Sequence, residues 1–153
     1  AKNIKDKVTQ EKLNKGDNAP DISLLNKNNE KISLKKYKGK YIYLALYSLH
    51  SYSCMQEIYM LDNIREKFKD HLEIVTVFCD GNNKKLNDYL SDKSFSWPVL
   101  YPESDKQLKN KYKIKIFPNY YLIDPYGKII MAPAPDPGNN FKKRFINILK
   151  SRN

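Results

Sequence analysis

Four residues, Ser51-Tyr52-Ser53-Cys54, hold the side chains best suited to chemistry in this chain. They follow an apolar run at 41–47 and precede a segment with helical spacing of apolar residues, so they occupy a strand-to-helix junction. A thiol at a helix N-terminus can attack a disulfide, because the helix dipole favours its ionised form. This junction has one thiol, on Cys54, with the hydroxyl of Ser51 three residues before it.

Two ionisable side chains flank the junction. His50 could act as a base or donate a hydrogen bond to Ser51. A Ser–His pair without a Gly-x-Ser-x-Gly turn and an orienting acid does not indicate a hydrolase, so we expect His50 to be an ordinary packed side chain. Glu57 lies three residues after Cys54, on the same helix face. It is either a solvated carboxylate or, if buried, a group that tunes Cys54 and relays protons.

Cys54 itself has two interpretations. It is a buried, protonated core residue, because burial raises a thiol pKa above about 8.5, or it is a monothiol that forms mixed disulfides slowly. Cys79 is expected in the core, and a Cys54–Cys79 disulfide, which needs Cα atoms within about 7 Å, is a minor alternative. The only histidines are His50 and His71, so we expect no metal site and no cofactor.

Charge and length limit the possible functions. The chain has 153 residues, enough for one domain with its own core, and a net charge of +11. Such a charge can indicate nucleic acid or an anionic surface as partner. The positive residues are nearly all scattered lysines, whereas phosphate and base recognition favours arginine, so nucleic acid is not an expected partner. We expect no membrane span in this chain, and its start shows no signal peptide.

The apolar pattern predicts strands that alternate with helices. Residues 1–15 are lysine-rich and are expected to form a linker or loosely packed segment before a domain at 16–153. The predicted extended segments are 22–25, 31–34, 41–47, 72–79, 97–100, 120–123 and 128–131, and the predicted helical ones are 34–38, 54–70, 83–91, 105–113 and 140–150. This order predicts a mixed sheet with a parallel centre and helices on both faces.

Five motifs, in the right order, resemble those of thioredoxin-fold proteins of the TlpA-like branch, which borders the alkyl hydroperoxide reductase/thiol-specific antioxidant (AhpC/TSA) branch. The first is the Gly-Asp-x-Ala-Pro-Asp opening at 16–21, and the second is the segment before the central strand at 34–40. The others are a Pro-Val-Leu piece at 97–101, the approach to the family's cis-proline at 112–118 and Leu-Ile-Asp-x-x-Gly-Lys-Ile at 122–129. The resemblance implies an α/β thioredoxin-like fold with a mixed central sheet, flanking helices and an N-terminal β-hairpin extension. It also implies a place in the bacterial periplasm or cell envelope.

The chain departs from the family at the active site. The family has Trp-Cys-x-x-Cys where this chain has residues 50–54, so Ser51 replaces the nucleophilic cysteine and Cys54 matches the resolving one. The helix proline expected five residues later is Tyr59, whereas Glu57 matches a carboxylate common in this branch. Peroxidase chemistry is disfavoured, because its reactive cysteine would lie near position 51.

The resemblance further implies a groove for an extended peptide beside residues 51–54. Phe117 and Pro118, whose peptide bond is expected to be cis, would border this groove together with His50 and Tyr52. The expected partners are protein or peptide thiols and disulfides. An upstream domain of the same polypeptide is a further candidate partner.

Three functions remain open. The first is a redox-impaired thioredoxin-like domain that keeps the peptide groove. The second is an oxidoreductase that uses Cys54 as a monothiol. The third is a basic module for nucleic acid or an anionic surface, whose binding would depend strongly on salt.

Overall fold

A computed structural model of the chain describes residues 12–90 and 94–152. The strands are β1 (Leu24–Leu25), β2 (Lys31–Ile32), β3 (Tyr41–Tyr47), β4 (Leu72–Phe78), β5 (Val99–Pro102), β6 (Asn119–Ile123) and β7 (Ile129–Met131). The helices are α1 (Tyr52–Phe68), α2 (Asn83–Leu90), α3 (Asp105–Tyr112) and α4 (Phe141–Ser151), with a 3₁₀ turn at Leu34–Tyr37. Each described boundary lies within two residues of the predicted one. Ser91, the predicted end of the second long helix, lies outside the described residues.

The seven strands form one mixed sheet in the order β2-β1-β5-β4-β3-β6-β7. The central pairs β3–β4 and β4–β5 are parallel, whereas β6 pairs antiparallel with both β3 and β7. The hairpin of β1 and β2 joins the other edge, where β1 pairs antiparallel with β5. The predicted mixed sheet with a parallel centre is confirmed, and its central pair carries the functional junction at the carboxyl end of β3.

Both faces of the sheet are covered, which explains why β3 is apolar along its whole length. Its odd-numbered residues, such as Tyr43 and Tyr47, pack in one core with α1 and α4. Its even-numbered residues, such as Leu44 and Leu46, pack in a second core on the opposite face, with α3. Because successive strand side chains point to opposite faces, a strand buried on both sides needs apolar residues at every position.

The N-terminal boundary of the domain stays a prediction. Within the described part of the expected linker, Leu13 is buried in the second core. Gly16 follows with a φ of +98°, and its amide donates to the carbonyl of Ile129 at 2.8 Å. Residues 1–11 lie outside the described residues. No helix among the described residues is both long and apolar enough to cross a membrane.

Candidate functional site

Ser51 is the N-cap of α1. It has extended backbone angles, and its hydroxyl oxygen accepts a hydrogen bond from the amide of Cys54 at 3.3 Å. The carbonyl of Ser51 accepts the first helical hydrogen bond, from the amide of Met55. Serine is among the strongest N-cap residues because its oxygen satisfies an amide that the helix leaves unpaired. The helix therefore begins at Tyr52, two residues before the predicted start.

Cys54 is fully buried, as predicted for a resolving cysteine without its partner. Burial raises the pKa of the Cys54 thiol, and hydrogen bonds with the Ser51 side chain and the Ser48 backbone oppose that rise. The nearby carboxylates of Glu57 and Asp80 raise the pKa further. Since the desolvation of the thiolate is the largest of these effects, Cys54 is held in its protonated, poorly nucleophilic form at neutral pH.

Asp80 holds the loop that leads into the junction. Its carboxylate accepts hydrogen bonds from the Leu49 amide at 2.9 Å and the Ser48 hydroxyl at 2.7 Å. The sequence prediction missed this residue, although Asp80 follows β4 and the carboxyl ends of parallel β3 and β4 meet at one sheet edge. The loop buries Leu49 and turns His50 outward, so the expectation that His50 would pack is wrong. The His50 side chain is 74% exposed, with its Nε2 3.8 Å from an Asp80 carboxylate oxygen.

Glu57 is half-buried and belongs to a chain of hydrogen bonds. The Tyr120 hydroxyl donates to Glu57 Oε1 at 2.8 Å and shares a 2.6 Å hydrogen bond with the Tyr47 hydroxyl. Burial raises the pKa of the Glu57 carboxyl, the Tyr120 hydrogen bond lowers it, and Asp136 raises it. The pKa values of both tyrosines are raised, chiefly by burial, so they stay neutral donors. The sequence prediction missed both, since each reads as an ordinary strand residue.

Pro118 lies at the same sheet edge as the junction. Asn119, the next residue, pairs with Leu46 near the carboxyl end of β3. Tyr120, two residues after Pro118, contacts Glu57, one turn beyond Cys54 on α1. The Phe117-Pro118 bond is cis, as predicted, and both side chains are half-buried. Ile116, directly before them, and Tyr52 on α1 are both exposed, so apolar surface borders the site on two elements.

The two thiols lie on opposite faces of the sheet. Cys54 packs in the core of Tyr47 and Phe78, whereas Cys79 packs in the core of Leu46 and Val77. Both are free, so the minor alternative of a Cys54–Cys79 disulfide is wrong. The physical reason is strand parity, which directs the residue after Phe78 to the face away from α1. Burial raises the pKa of the Cys79 thiol as well. The described residues contain no cluster of three or more His, Cys, Asp or Glu side chains that could hold a metal ion.

We expect slow alkylation of Cys54 by iodoacetamide at pH 7, because burial and nearby carboxylates disfavour the thiolate. The rate should rise with pH. Glu57→Gln should speed alkylation about two- to threefold at pH 7–8, since it removes a like charge, and should have less effect at a pH low enough to protonate Glu57. The measurement is mass spectrometry of the peptide that contains Cys54.

Glu66→Gln is the matched control, because Glu66 lies exposed on the same helix beside Arg65. It should leave the alkylation rate unchanged. Rapid alkylation of Cys54 at pH 6 in the unaltered chain would show that its thiol is ionised, in conflict with this account.

The site can be compared with known proteins. Residues 15–132 match the family model described as the AhpC/TSA family. Thiol-disulfide oxidoreductase ResA of Bacillus subtilis is 24% identical over 142 residues, 92% of this chain and 79% of that protein. A thiol:disulfide interchange protein from a Bacteroides species has a TM-score of 0.76 and 27% identity, and the match covers 88% of this chain and 91% of that one. A thioredoxin-like protein from Bacteroides caccae has a TM-score of 0.77 and 17% identity, and the match covers 96% of this chain and 55% of that protein. At this identity the match shows the shared fold alone.

These similarities confirm the predicted thioredoxin-like fold and the kinship with thiol-disulfide oxidoreductases. The match to the family model spans the junction, the helix that follows it and Pro118. The chain therefore belongs to the AhpC/TSA family as a thioredoxin-like domain of the thiol-disulfide oxidoreductase type.

Proposed function

We propose that this chain is a redox-impaired thioredoxin-like domain that binds peptides without exchanging disulfides. The observation that carries the proposal is Ser51 at the N-cap of α1, where a thiol would have the benefit of the helix dipole. Disulfide exchange begins with a thiolate attacking sulfur, and a serine hydroxyl cannot form the mixed disulfide. Cys54 does not replace it, because it is fully buried and its pKa is raised.

The peptide groove is the surface formed by His50, Tyr52, Ile116, Phe117 and Pro118. Three of these side chains are exposed and the other two are half-buried. They are mostly apolar, and they come from the junction after β3 and from the loop before β6, whose first residue, Asn119, pairs with Leu46 near the end of β3. Exposed aromatic and aliphatic side chains at a sheet edge suit an extended peptide segment of a protein partner. By this proposal, the partners are proteins with thiols or disulfides. The chain binds them, and a different protein exchanges their disulfides.

A peptide without reactive thiols tests the groove separately from redox chemistry. We expect the S-carboxymethylated B chain of insulin, carrying a fluorescent label, to bind the chain. Ile116→Ser should weaken that binding about fivefold or more through lost apolar contact. The measurement is fluorescence anisotropy of the labelled peptide.

Tyr126→Ser is the matched control. Tyr126 is 77% exposed, close to the 72% of Ile116, but lies in the β6–β7 turn at the far end of β6 from Pro118. It should leave the affinity unchanged. Equal weakening by the two variants, or no binding by the unaltered chain, would contradict the peptide groove.

The second candidate function is an oxidoreductase with Cys54 as its single reactive thiol. The hydrogen bonds with Ser51 and Ser48, which lower the pKa of Cys54, favour it. The alkylation experiment separates this candidate from the first, because a working monothiol must be ionised and accessible. We also propose a location in the bacterial periplasm or cell envelope, supported by the family resemblance and testable by fractionation of the source cells.

A further inference from the structure

A cavity of about 590 Å³ lies away from the peptide groove. It is open to solvent on one side and is lined by the β1–β2 turn, the 3₁₀ turn, α2 and the segment that enters β5. None of its lining residues belongs to the junction at 51–54 or to the loop at 116–118. We propose that this cavity binds a small aromatic anion, such as a one- or two-ring carboxylate or sulfonate.

The apolar wall of the cavity suits a flat ring. Phe95 and Trp97 line it with ring centroids 5.0 Å apart, and Leu86 and Leu90 of α2 also line it. The Trp97 indole is fixed in place, because its Nε1 donates to the Thr76 hydroxyl at 3.0 Å. Aromatic side chains bury a large area and prefer offset or edge contacts with other rings. This part of the site is therefore already in place for a ligand ring.

Two charged residues, Lys27 and Lys36, occur among the described residues that line the cavity, and both are lysines. Among the described residues, no carboxylate lies within 4 Å of either ammonium group. The Lys36 ammonium lies 5.9 Å from the centroid of the Tyr37 ring, which also lines the cavity. Glu73 is close enough to contribute to the raised pKa of Tyr37, after burial, but it is not part of the lining. The described lining residues thus carry positive charge, and the Glu30 carboxylate, outside the lining, accepts a hydrogen bond from the Asn26 amide at 3.1 Å.

The other polar residues in the described part of the lining are uncharged. Asn28 supplies a side-chain amide that can hydrogen-bond an oxyanion or its ring substituents. The side-chain amides of Asn26 and Asn87 also line the cavity, and each already donates one hydrogen bond, to Glu30 and Asn83 respectively. The volume falls within the range of about 300–1,000 Å³ typical of small-molecule sites. Size, flat apolar wall and the sign of the lining charge together select a small aromatic anion over a cation, a neutral lipid or a long polymer.

Trp97 provides a direct readout, because it is the only tryptophan in the chain. The probe is 1-naphthalenesulfonate, added to the full ¹⁵N-labelled chain, and the measurement is the shift of the single indole N–H signal in NMR spectra. We expect the chemical shift of this signal to change as sulfonate is added and to reach a plateau when the site is saturated. We expect weaker binding of neutral 1-naphthalenemethanol and weaker still of 1-naphthylmethylammonium. Equal affinity for the three compounds, or no shift at millimolar sulfonate, would overturn the proposal.

Two variants locate the binding. The double variant Lys27→Gln/Lys36→Gln should weaken sulfonate binding about fivefold, whereas Lys143→Gln on α4 should not change it. Leu90→Glu places a carboxylate in the cavity wall and should weaken binding about tenfold or more. Its control is Tyr89→Glu, which adds the same charge at an exposed neighbour outside the lining. Unchanged affinity in the lysine variant, or equal loss in the two glutamate variants, would also overturn the proposal.

Discussion

The Ser51→Cys variant is expected to reduce insulin disulfides on the order of a hundredfold or more faster than the unaltered chain, whose rate should be near background. The new thiol would occupy the N-cap of α1, where the helix dipole favours its thiolate. That thiolate attacks one sulfur of the insulin disulfide and the other sulfur leaves as a thiolate. Cys54, within the next helical turn, then attacks the mixed disulfide and releases the reduced product. Dithiothreitol, the reductant in the assay, returns the variant's own disulfide to the dithiol.

Two further variants make the result specific. Ser53→Cys adds a thiol on the same exposed turn but away from the N-cap, and it should stay near background. Ser51→Cys/Cys54→Ser should form a mixed disulfide that persists, because the resolving thiol is gone. The loss of the serine cap should also cost about 1 kcal/mol of stability, measured by urea unfolding. If the unaltered chain already reduces insulin at the rate of Ser51→Cys, the redox-impaired assignment is wrong.

Phe141→Ala is expected to lower the free energy of unfolding by about 3–5 kcal/mol. Phe141 begins α4 and is fully buried, with its ring stacked on Tyr43 at a centroid distance of 3.8 Å. It also stacks on Phe145, so truncation leaves a cavity between α4 and the centre of the sheet. That loss is a large part of the stability of a domain of this size. The measurement is the urea midpoint together with the slope of the transition.

Phe141→Leu is the graded comparison, and it should cost clearly less because much of the side-chain volume stays. Lys143→Ala, at an exposed position of the same helix, should change stability by less than about 0.5 kcal/mol. Equal effects of Phe141→Ala and Lys143→Ala would show that α4 does not anchor this core.

The sequence predicted the parts of the molecule that depend on local pattern. The apolar run of β3 and the motif around Pro118 each lie within a few neighbouring residues, so their consequences are local. The capping role of Ser51 was not predicted, and the predicted start of α1 was two residues late. Burial of Cys54 was also predictable, because a helix beginning beside a strand buried on both faces must turn its first inward side chain into the core.

The partners of the site could not be predicted, because they are distant in sequence. Tyr120 reaches Glu57 only because β6 pairs antiparallel with β3, with Tyr120 opposite Ala45. Asp80 and Ser48 meet because β3 and β4 run in register to the same edge. His50 faces solvent because Leu49 takes the buried position beside it. These contacts depend on strand register and loop orientation, and the apolar pattern of a single segment predicts neither.

The separation of the two sulfurs by the sheet also determines how this chain responds to oxidants. A thiol oxidised to sulfenic acid is usually rescued when a neighbouring thiol condenses with it. Cys54 and Cys79 face opposite cores, so neither can perform that rescue for the other in the folded chain. A sulfenic acid formed at Cys54 therefore either reacts with a small external thiol such as glutathione or is oxidised further to the irreversible sulfinic acid. Because a buried, protonated thiol is oxidised slowly, the burial of both sulfurs protects the chain against this irreversible step.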